Sequence, residues 1–564
     1  MSVDRPPGTF RLKVVAMVLI GGLLVIAARL VMIQGLQASR YKEIASAQRD
    51  ETITITPRRG TIFDREGEIL AISEDVTTIY ATPYQVEDPV DAAGKIAAVL
   101  GEDPAVIRER LEAPGGFSYV ARKVENGLAT LIREMELPGI GFVEDSRRFY
   151  PMGQVASQTV GMVDIDNHGL VGIELYYEDL LGGIPGKIAL EKDAAGVPIP
   201  GSEKMLERSS DGEDVQLTID RDIQSFTEEA LAAAVSRYRA EAGSVIVLDC
   251  TSGEILAVAS VPTFDPNNRA DIDPEGMRNR SFTDIFEPGS VLKILSAAAA
   301  LEEVVVQPDT AMFVPGELQV ADQVFREARK KSARTLTFTE IICQSSNVGT
   351  IMVAEELGAA RLNEYLRRFG MGRRAGVDFP GEVAGLLPDI ENWSGTSTAT
   401  ISIGQGISIT LVQLACMAGT VANGGKRVYP HLAKTRINTD GPRDMGLGGL
   451  GEQVVSEQTC TQLTSILTGV AMPDATGEKA ALANYSVAGK TGTASKPLTD
   501  GRGYGKGYMA TFVGFAPAER PRLVVAVVLD EPTPIWGGET SAPLFGEVMG
   551  YSLQRLKVPT GRAP

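Results

Sequence analysis

The chain has 564 residues, 44% of them hydrophobic and 22% charged, which is the balance of a folded protein of two or three domains and not of a disordered one. Its formal net charge of −18 argues against nucleic acid as a partner, because phosphate binding needs a basic surface, and reads as an acidic solvated exterior. Only two histidines occur, His168 and His431, and neither is near a candidate nucleophile in sequence, so a Ser-His-Asp triad and a paired-histidine zinc site are both disfavoured.

The first element in chain order is an apolar run, Val14 to Ala28. Arg29 interrupts it and Leu30-Val31-Met32-Ile33 continue it. About 20 such residues cross a bilayer core as a helix. Arg29 lies near the far end, where its side chain can reach the interface. Arg5, Arg11 and Lys13 precede the run, which places residues 1–13 in the cytoplasm and the remainder outside. A cleaved signal peptide is the competing reading; the run is long for one and no clear small-x-small site follows. No later segment spans, so the expectation is a single-pass anchor over 14–34.

Residues 35–215 form the first extracytoplasmic region. A polar helical stretch opens it. Thr52-Ile53-Thr54-Ile55 alternates as a strand, and Glu66-Gly67 suits a hairpin turn. Helical patterns follow at Val90–Leu100 and Pro104–Glu112, then a Gly-rich stretch from Gly161 to Gly186. No nucleophile and base occur together here, so the region is expected to be structural or to bind partners.

The second region runs over 216–556. Val215–Ile219 alternates as a strand, and Asp220 is placed to cap a helix over Arg221–Arg239. Strand patterns at Gly243–Asp249 and Glu254–Ser260 flank a turn, a long helix-rich stretch follows, and three more strands come late, at Ser486–Ala494, Thr511–Phe515 and Leu523–Leu529. This predicts one mostly antiparallel sheet of about five strands, completed by both ends of the domain. Residues 436–452 are Gly-rich and polar and read as a loop; 557–564 read as a tail. Cys250, Cys343, Cys416 and Cys460 form no CxxC pair. Cys416 reads as a buried hydrophobe and Cys343 as helix packing, with the disulfide state left open.

Three short motifs follow one another in this region: Ser290-Val291-Leu292-Lys293, Ser345-Ser346-Asn347 and Lys490-Thr491-Gly492-Thr493. Glu287-Pro288-Gly289 breaks regular structure, so Ser290 is expected at a helix N-terminus, where free N–H groups favour developing negative charge. Lys293 falls on the same helix face, and its amine is expected to reach the Ser290 hydroxyl. A serine needs a base, and lysine serves only when neutral; burial or a nearby cation, here Lys490, lowers its pKa. Ser345 and Asn347 can relay a proton and hold a substrate amide. Lys490, Thr491 and Thr493 can clamp a carboxylate, with Gly492 letting a substrate backbone approach. Ser39-Arg40-Tyr41-Lys42 repeats the bare SxxK spacing, as chance allows, without the two companion motifs.

On these motifs the chain resembles the class B penicillin-binding proteins, the peptidoglycan D,D-transpeptidases. Arg59-Gly60, Asp64-Arg65, Gly67, Gly169, Gly172 and Glu174 resemble the family's pedestal, of dimerisation type. Phe286 to Ser290, Pro380-Gly381-Glu382, Gly404-Gln405-Gly406 and Ala488 to Ala494 resemble its transpeptidase domain. The resemblance implies an α+β fold: an N-terminal transmembrane helix, an elongated pedestal and a penicillin-binding/β-lactamase-like domain whose antiparallel sheet has helices on both sides. It implies that Ser290 attacks a D-Ala-D-Ala carbonyl and that the acyl-enzyme passes to an amine of a neighbouring strand. Lys293 is then the base, Ser345 with Lys490 returns the proton, and the backbone N–H groups of Ser290 and Thr493 form the oxyanion hole. It implies no metal or organic cofactor, and trapping of Ser290 by β-lactams. Asn347, and the short stretch after residue 556, fit the divisome FtsI-like type, with a SEDS glycosyltransferase and other divisome membrane proteins as partners. Val291-Leu292, where Thr-Phe is common, conserves bulk. The alternatives are an elongation-type transpeptidase, a D,D-carboxypeptidase or β-lactamase-type hydrolase, and a non-catalytic β-lactam-binding scaffold.

Overall fold

The computed structural model describes residues 8–42, 50–191, 204–329, 331–498 and 503–560. These divide into two compact units: 1–57 with 183–211, and 58–182 with 212–564. Arg5 and the end of the expected tail lie outside the described residues, as does most of the polar stretch at 43–49.

The smaller unit contains the N-terminal helix, Gly8–Val31, prolonged by a π-helical turn over Met32–Leu36. The segment Phe10–Leu36 is long and apolar enough to cross a membrane, and its apolar side chains are not packed against the protein. At 1.5 Å per residue it spans roughly 40 Å. It fits a single-pass membrane anchor. The strand expected at Thr52–Ile55 is present within Asp50–Ile55. It pairs antiparallel with Gly186–Glu191, which pairs in turn with Lys204–Glu207.

In the larger unit, Ile62–Phe63 and Ile69–Ala81 form the hairpin expected around Glu66-Gly67, and Asp64 Oδ1 accepts the N–H groups of Glu66 and Glu68 at 2.8 Å inside its turn. Ile69–Ala81 carries Ser118–Val124 and Ile140–Phe149 as further antiparallel partners. Asp214–Leu217 joins Ile62–Phe63 in parallel on one side and Ala433–Asn438 antiparallel on the other. The loop expected at 436–452 is therefore incorrect. Its residues supply the end of Ala433–Asn438, then Gly441–Asp444 and Gly449–Gln453. The Gly-rich composition serves the turns between these strands, and ladder partners outweigh weak local strand propensity. The helix-rich stretch likewise contains two unforeseen hairpin pairings, Ala311–Val314 with Arg334–Thr337 and Glu317–Val320 with Gln323–Arg326.

The segments that carry the pedestal resemblance meet in one buried ion cluster. Glu174 Oε2 accepts Arg59 Nε at 2.5 Å and Glu174 Oε1 accepts Arg148 Nε at 2.6 Å, with all three side chains at most 1% exposed. Removing the shared carboxylate strands the buried Arg148 guanidinium and leaves Arg59 only one ion pair, with the part-exposed Glu178 at 2.7 Å. Glu174→Ala is therefore expected to cost about 3–5 kcal/mol of stability, read as a lower denaturant midpoint. A change below about 0.5 kcal/mol, the level of an ordinary surface substitution, would contradict this.

The sheet of the second region is built from β1 (Ala242–Asp249), β2 (Ile255–Val261), β3 (Ala488–Pro497), β4 (Tyr504–Ala516) and β5 (Leu523–Asp530), in the order β2–β1–β5–β4–β3. Every pairing is antiparallel, and both ends of the region contribute, as expected. Along β1, Val245 and Val247 face one core while Ile246 and Leu248 face the other. The strand is an unbroken apolar run because both faces are covered. One face carries α1 (Arg221–Tyr238) and a C-terminal helix over Gly537–Arg555. The other carries α2 (Lys293–Glu302) and, after α3 (Phe338–Cys343) and α4 (Asn347–Leu357), α5 (Leu411–Ala422). Asp220 caps α1 as expected, accepting from Asp222 and Ile223 N–H at 3.1 Å. β3 is an edge strand, with β4 as its one ladder partner among the described residues.

Candidate active site

Ser290 sits in a short 3-10 turn, Gly289–Leu292, and the α-helix begins only at Lys293. The turn is held from behind. Gly289 N–H donates to the Gly404 carbonyl at 2.9 Å, and a Cβ on Gly404 would lie 2.0 Å from the Gly289 carbonyl oxygen. Val291 and Leu292 are fully buried, which anchors the turn by bulk. Ser290 lines a cleft of about 430 Å³ together with Ser345, Thr491, Gly492 and Thr493. The three motifs thus meet in one place.

Lys293 and Lys490 are fully buried beneath the cleft. Lys293 Nζ donates to the Ser345 carbonyl (2.8 Å), to Ser345 Oγ (3.4 Å) and to Asn347 Oδ1 (2.7 Å). Lys490 Nζ donates to Ser345 Oγ (2.9 Å) and to the Thr491 carbonyl (3.2 Å). Ser345 Oγ therefore lies between two amines. The expected Lys293–Ser290 bond is not formed: among the described residues Ser290 Oγ has no hydrogen-bond partner, because the second motif holds the Lys293 amine. Ser345 itself has φ +53°, a left-handed conformation that costs a non-glycine residue energy and occurs often at functional sites. Burial pushes the Lys293 amine well below its usual pKa, and the Lys490 charge pushes it further. Burial brings Lys490 down to about 7.

Glu327 is a site residue that sequence reasoning missed. It accepts the Asn347 N–H at 2.9 Å and a short hydrogen bond from Ser346 Oγ, so it fixes the second motif at the start of α4. Its charge also opposes the lowering of the Lys293 pKa. It is embedded in Arg326-Glu327-Ala328-Arg329, a charge run that by itself reads as a solvated face. Arg329 and Trp536 were missed too: both line the cleft, with the guanidinium 5.1 Å from the ring centroid.

Thr491, Gly492 and Thr493 lie on edge strand β3. Thr491 Oγ1 is 3.3 Å from Thr476 Oγ1, and Thr493 Oγ1 accepts the Gly537 N–H at 3.2 Å. The expectation for Gly492 needs correction. A Cβ there would meet Thr511 Oγ1 at 2.1 Å, the Pro288 carbonyl at 2.9 Å and Val291 Cγ1 at 3.1 Å. The missing side chain lets β3 close on the Ser290 turn and on β4, so the space is filled by the protein. Gly492→Ala is expected to slow acylation at least tenfold by parting β3 from that turn. Adding Thr511→Ala removes the nearest clash and is expected to recover part of the loss, as a double-mutant cycle on penicillin labelling would read. Strictly additive effects would contradict the contact.

Neither histidine lines the cleft: His168 is exposed beside Asp164, and His431 is buried near Gly448. All four cysteines are free thiols, and Cys343 donates to the Ile466 carbonyl at 3.2 Å.

Comparison with known proteins agrees with this geometry. Residues 54–217 match the penicillin-binding protein dimerisation domain and residues 243–550 the penicillin-binding protein transpeptidase domain. Penicillin-binding protein PbpB of Mycolicibacterium smegmatis is 36% identical, over 98% of this chain and 92% of that protein. Peptidoglycan D,D-transpeptidase FtsI of Escherichia coli is 34% identical, over 89% of this chain and 84% of that protein. The crystal structure of penicillin-binding protein 3 from Mycobacterium tuberculosis in complex with aztreonam superposes with a TM-score of 0.72 at 30% identity, covering 90% of this chain and 98% of that one.

Proposed function

The chain belongs to the class B penicillin-binding proteins, the peptidoglycan D,D-transpeptidases, and from that premise we propose how its residues perform the reaction and where. Ser290 Oγ attacks the carbonyl of the penultimate D-Ala of a stem peptide, and the Ser290 proton passes to the neutral Lys293 amine. The peptide C–N bond breaks, and Ser345, between Lys293 and Lys490, delivers a proton to the departing D-Ala amine. An amine from a second stem peptide then attacks the ester, forms the cross-link and frees Ser290. The Ser290 and Thr493 backbone N–H groups bind the developing oxyanion. Thr491 and Thr493, with the Lys490 charge behind them, hold the terminal carboxylate. Asn347, which accepts from Lys293, steadies that amine and offers its amide to substrate.

The observation that carries this reading is the convergence of the Lys293 and Lys490 amines on Ser345 Oγ, beneath a cleft that Ser290 lines. β-Lactams enter the same sequence and stop at the ester. The test is to give the chain a stem pentapeptide donor and a labelled D-amino acid acceptor. Transfer to the acceptor exceeding free tetrapeptide is the expected result; tetrapeptide alone would assign a hydrolase.

We place the N-terminus in the cytoplasm and the cleft outside the membrane, from Arg11 and Lys13 ahead of the apolar run that starts at Val14. The likeness to a protein named FtsI supports a septal role, and we propose a SEDS glycosyltransferase and other divisome membrane proteins as the partners there. A fluorescent fusion confined to the division site would agree; uniform side-wall signal would assign the elongation type.

A further inference from the structure

Behind the Ser290 turn lies a second cavity, of about 260 Å³, that shares no lining residue with the cleft. It opens where β1 begins and β3 and β5 end, on the sheet face that carries α5. Ile285, Phe286, Leu411, Met509 and Val528 give it apolar walls. Two cations also line it, and both are already paired. Arg280 meets Asp284 and Glu275 at 2.9 Å, and Lys496 meets Asp530 and Glu531 at 2.8 Å.

Arg280 Nε is buried without a partner among the described residues, and Glu287 is the lining carboxylate with no ion-pair partner among them. It is 7% exposed and lines the cavity. Its Oε1 accepts the Gly406 N–H at 2.9 Å and the Tyr504 O–H at 3.3 Å. Its Oε2 is buried and has no hydrogen-bond partner among the described residues. A buried acceptor left unsatisfied is costly, and a charged one more so. Protonation does not remove the cost, since the new O–H would then lack an acceptor.

We infer that this cavity is a binding site for a small protonated amine with an apolar body, its ammonium donating to Glu287 Oε2 and its body against Leu411, Met509 and Val528. The cavity sets apolar walls around one unmatched acceptor, which is how small-ligand sites are built. Each lining cation is held by two carboxylates, Arg280 through its terminal nitrogens and Lys496 through Nζ. The site is separate from the cleft, yet Glu287 also holds the 404–406 loop that braces Gly289.

The test uses the full-length chain in detergent and benzylamine, followed by titration calorimetry. Glu287→Gln keeps an oxygen for Gly406 and removes the charge. Val528→Phe fills the wall opposite. Benzylamine is expected to bind the unaltered chain at one site per chain, at least tenfold more weakly after either substitution. It is expected to bind equally well when penicillin occupies the cleft, with occupancy read separately by intact mass. Benzyl alcohol, which lacks the charge, is expected to bind at least tenfold more weakly than the amine. No binding, equal affinity in Glu287→Gln, or loss of binding when penicillin fills the cleft would each overturn the inference. Glu287→Gln decides by itself if Val528→Phe does not fold.

Discussion

Ser290→Ala is expected to remove covalent labelling by penicillin entirely and to lower cross-linking by a factor on the order of 10⁶, the scale of losing the nucleophile in a serine acyl-transfer enzyme. Without Oγ no ester can form, while the cleft, the two buried amines and edge strand β3 stay in place. The variant is therefore expected to keep its fold and its noncovalent affinity for substrate. Ser39→Ala is expected to leave labelling unchanged, because the SxxK spacing at Ser39 lacks the two companion motifs. Labelling gel assays on both variants check this. Persistent labelling of Ser290→Ala would remove Ser290 from the nucleophile role.

Lys293→Arg is the second change of large effect, with acylation falling by roughly 10²–10⁴-fold, the usual share of a general base. A guanidinium stays protonated near neutral pH and cannot accept the Ser290 proton. It also does not fit a site in which Ser345 and Asn347 take three hydrogen bonds from one amine. The pH profile sharpens the assignment. With Lys293 as the proposed base, acylation needs it neutral, so the rate is expected to rise as pH climbs through the lowered Lys293 pKa. The carboxylate clamp needs Lys490 charged, so the rate falls as pH climbs through the Lys490 value of about 7. A bell is expected in the second-order acylation rate, which reports the free enzyme. The two amines share Ser345 Oγ, so its limbs belong to the pair. Lys490→Arg keeps the charge at all accessible pH and is expected to abolish the alkaline limb while leaving the acid limb. An alkaline limb that persists in Lys490→Arg would take Lys490 out of that role.

Much of this was legible because the chemistry demands particular residues at fixed spacing. Ser290 and Lys293 lie one helical turn apart, and the lysine must be buried to act; the apolar run that follows them announces that burial. The sheet was legible for a similar reason: the runs in β1, β2 and β5 are too apolar to be anything but strands covered on both faces. What stayed hidden depends on long-range pairing. Ala433–Asn438 is a strand because Asp214–Leu217 lies beside it, and no local signal at 436–452 reveals that partner. Glu327 looks like one charge among several until the hairpin over Glu317–Arg326 folds it onto Ser346 and Asn347. Gly492 was read toward substrate, although the atoms that exclude a side chain belong to Thr511, Pro288 and Val291. Lys293 makes no hydrogen bond to Ser290 for a like reason, since helical spacing gives reach but not preference among acceptors.

The central claim is that Ser290 forms the acyl-enzyme, with the Lys293 and Lys490 amines beneath it. The most direct measurement is to label the full-length chain with fluorescent penicillin, digest it and locate the adduct by mass spectrometry. A stable ester on the peptide carrying Ser290 is the predicted result. An adduct on Ser345 or Cys343, or no adduct on folded protein, would contradict it.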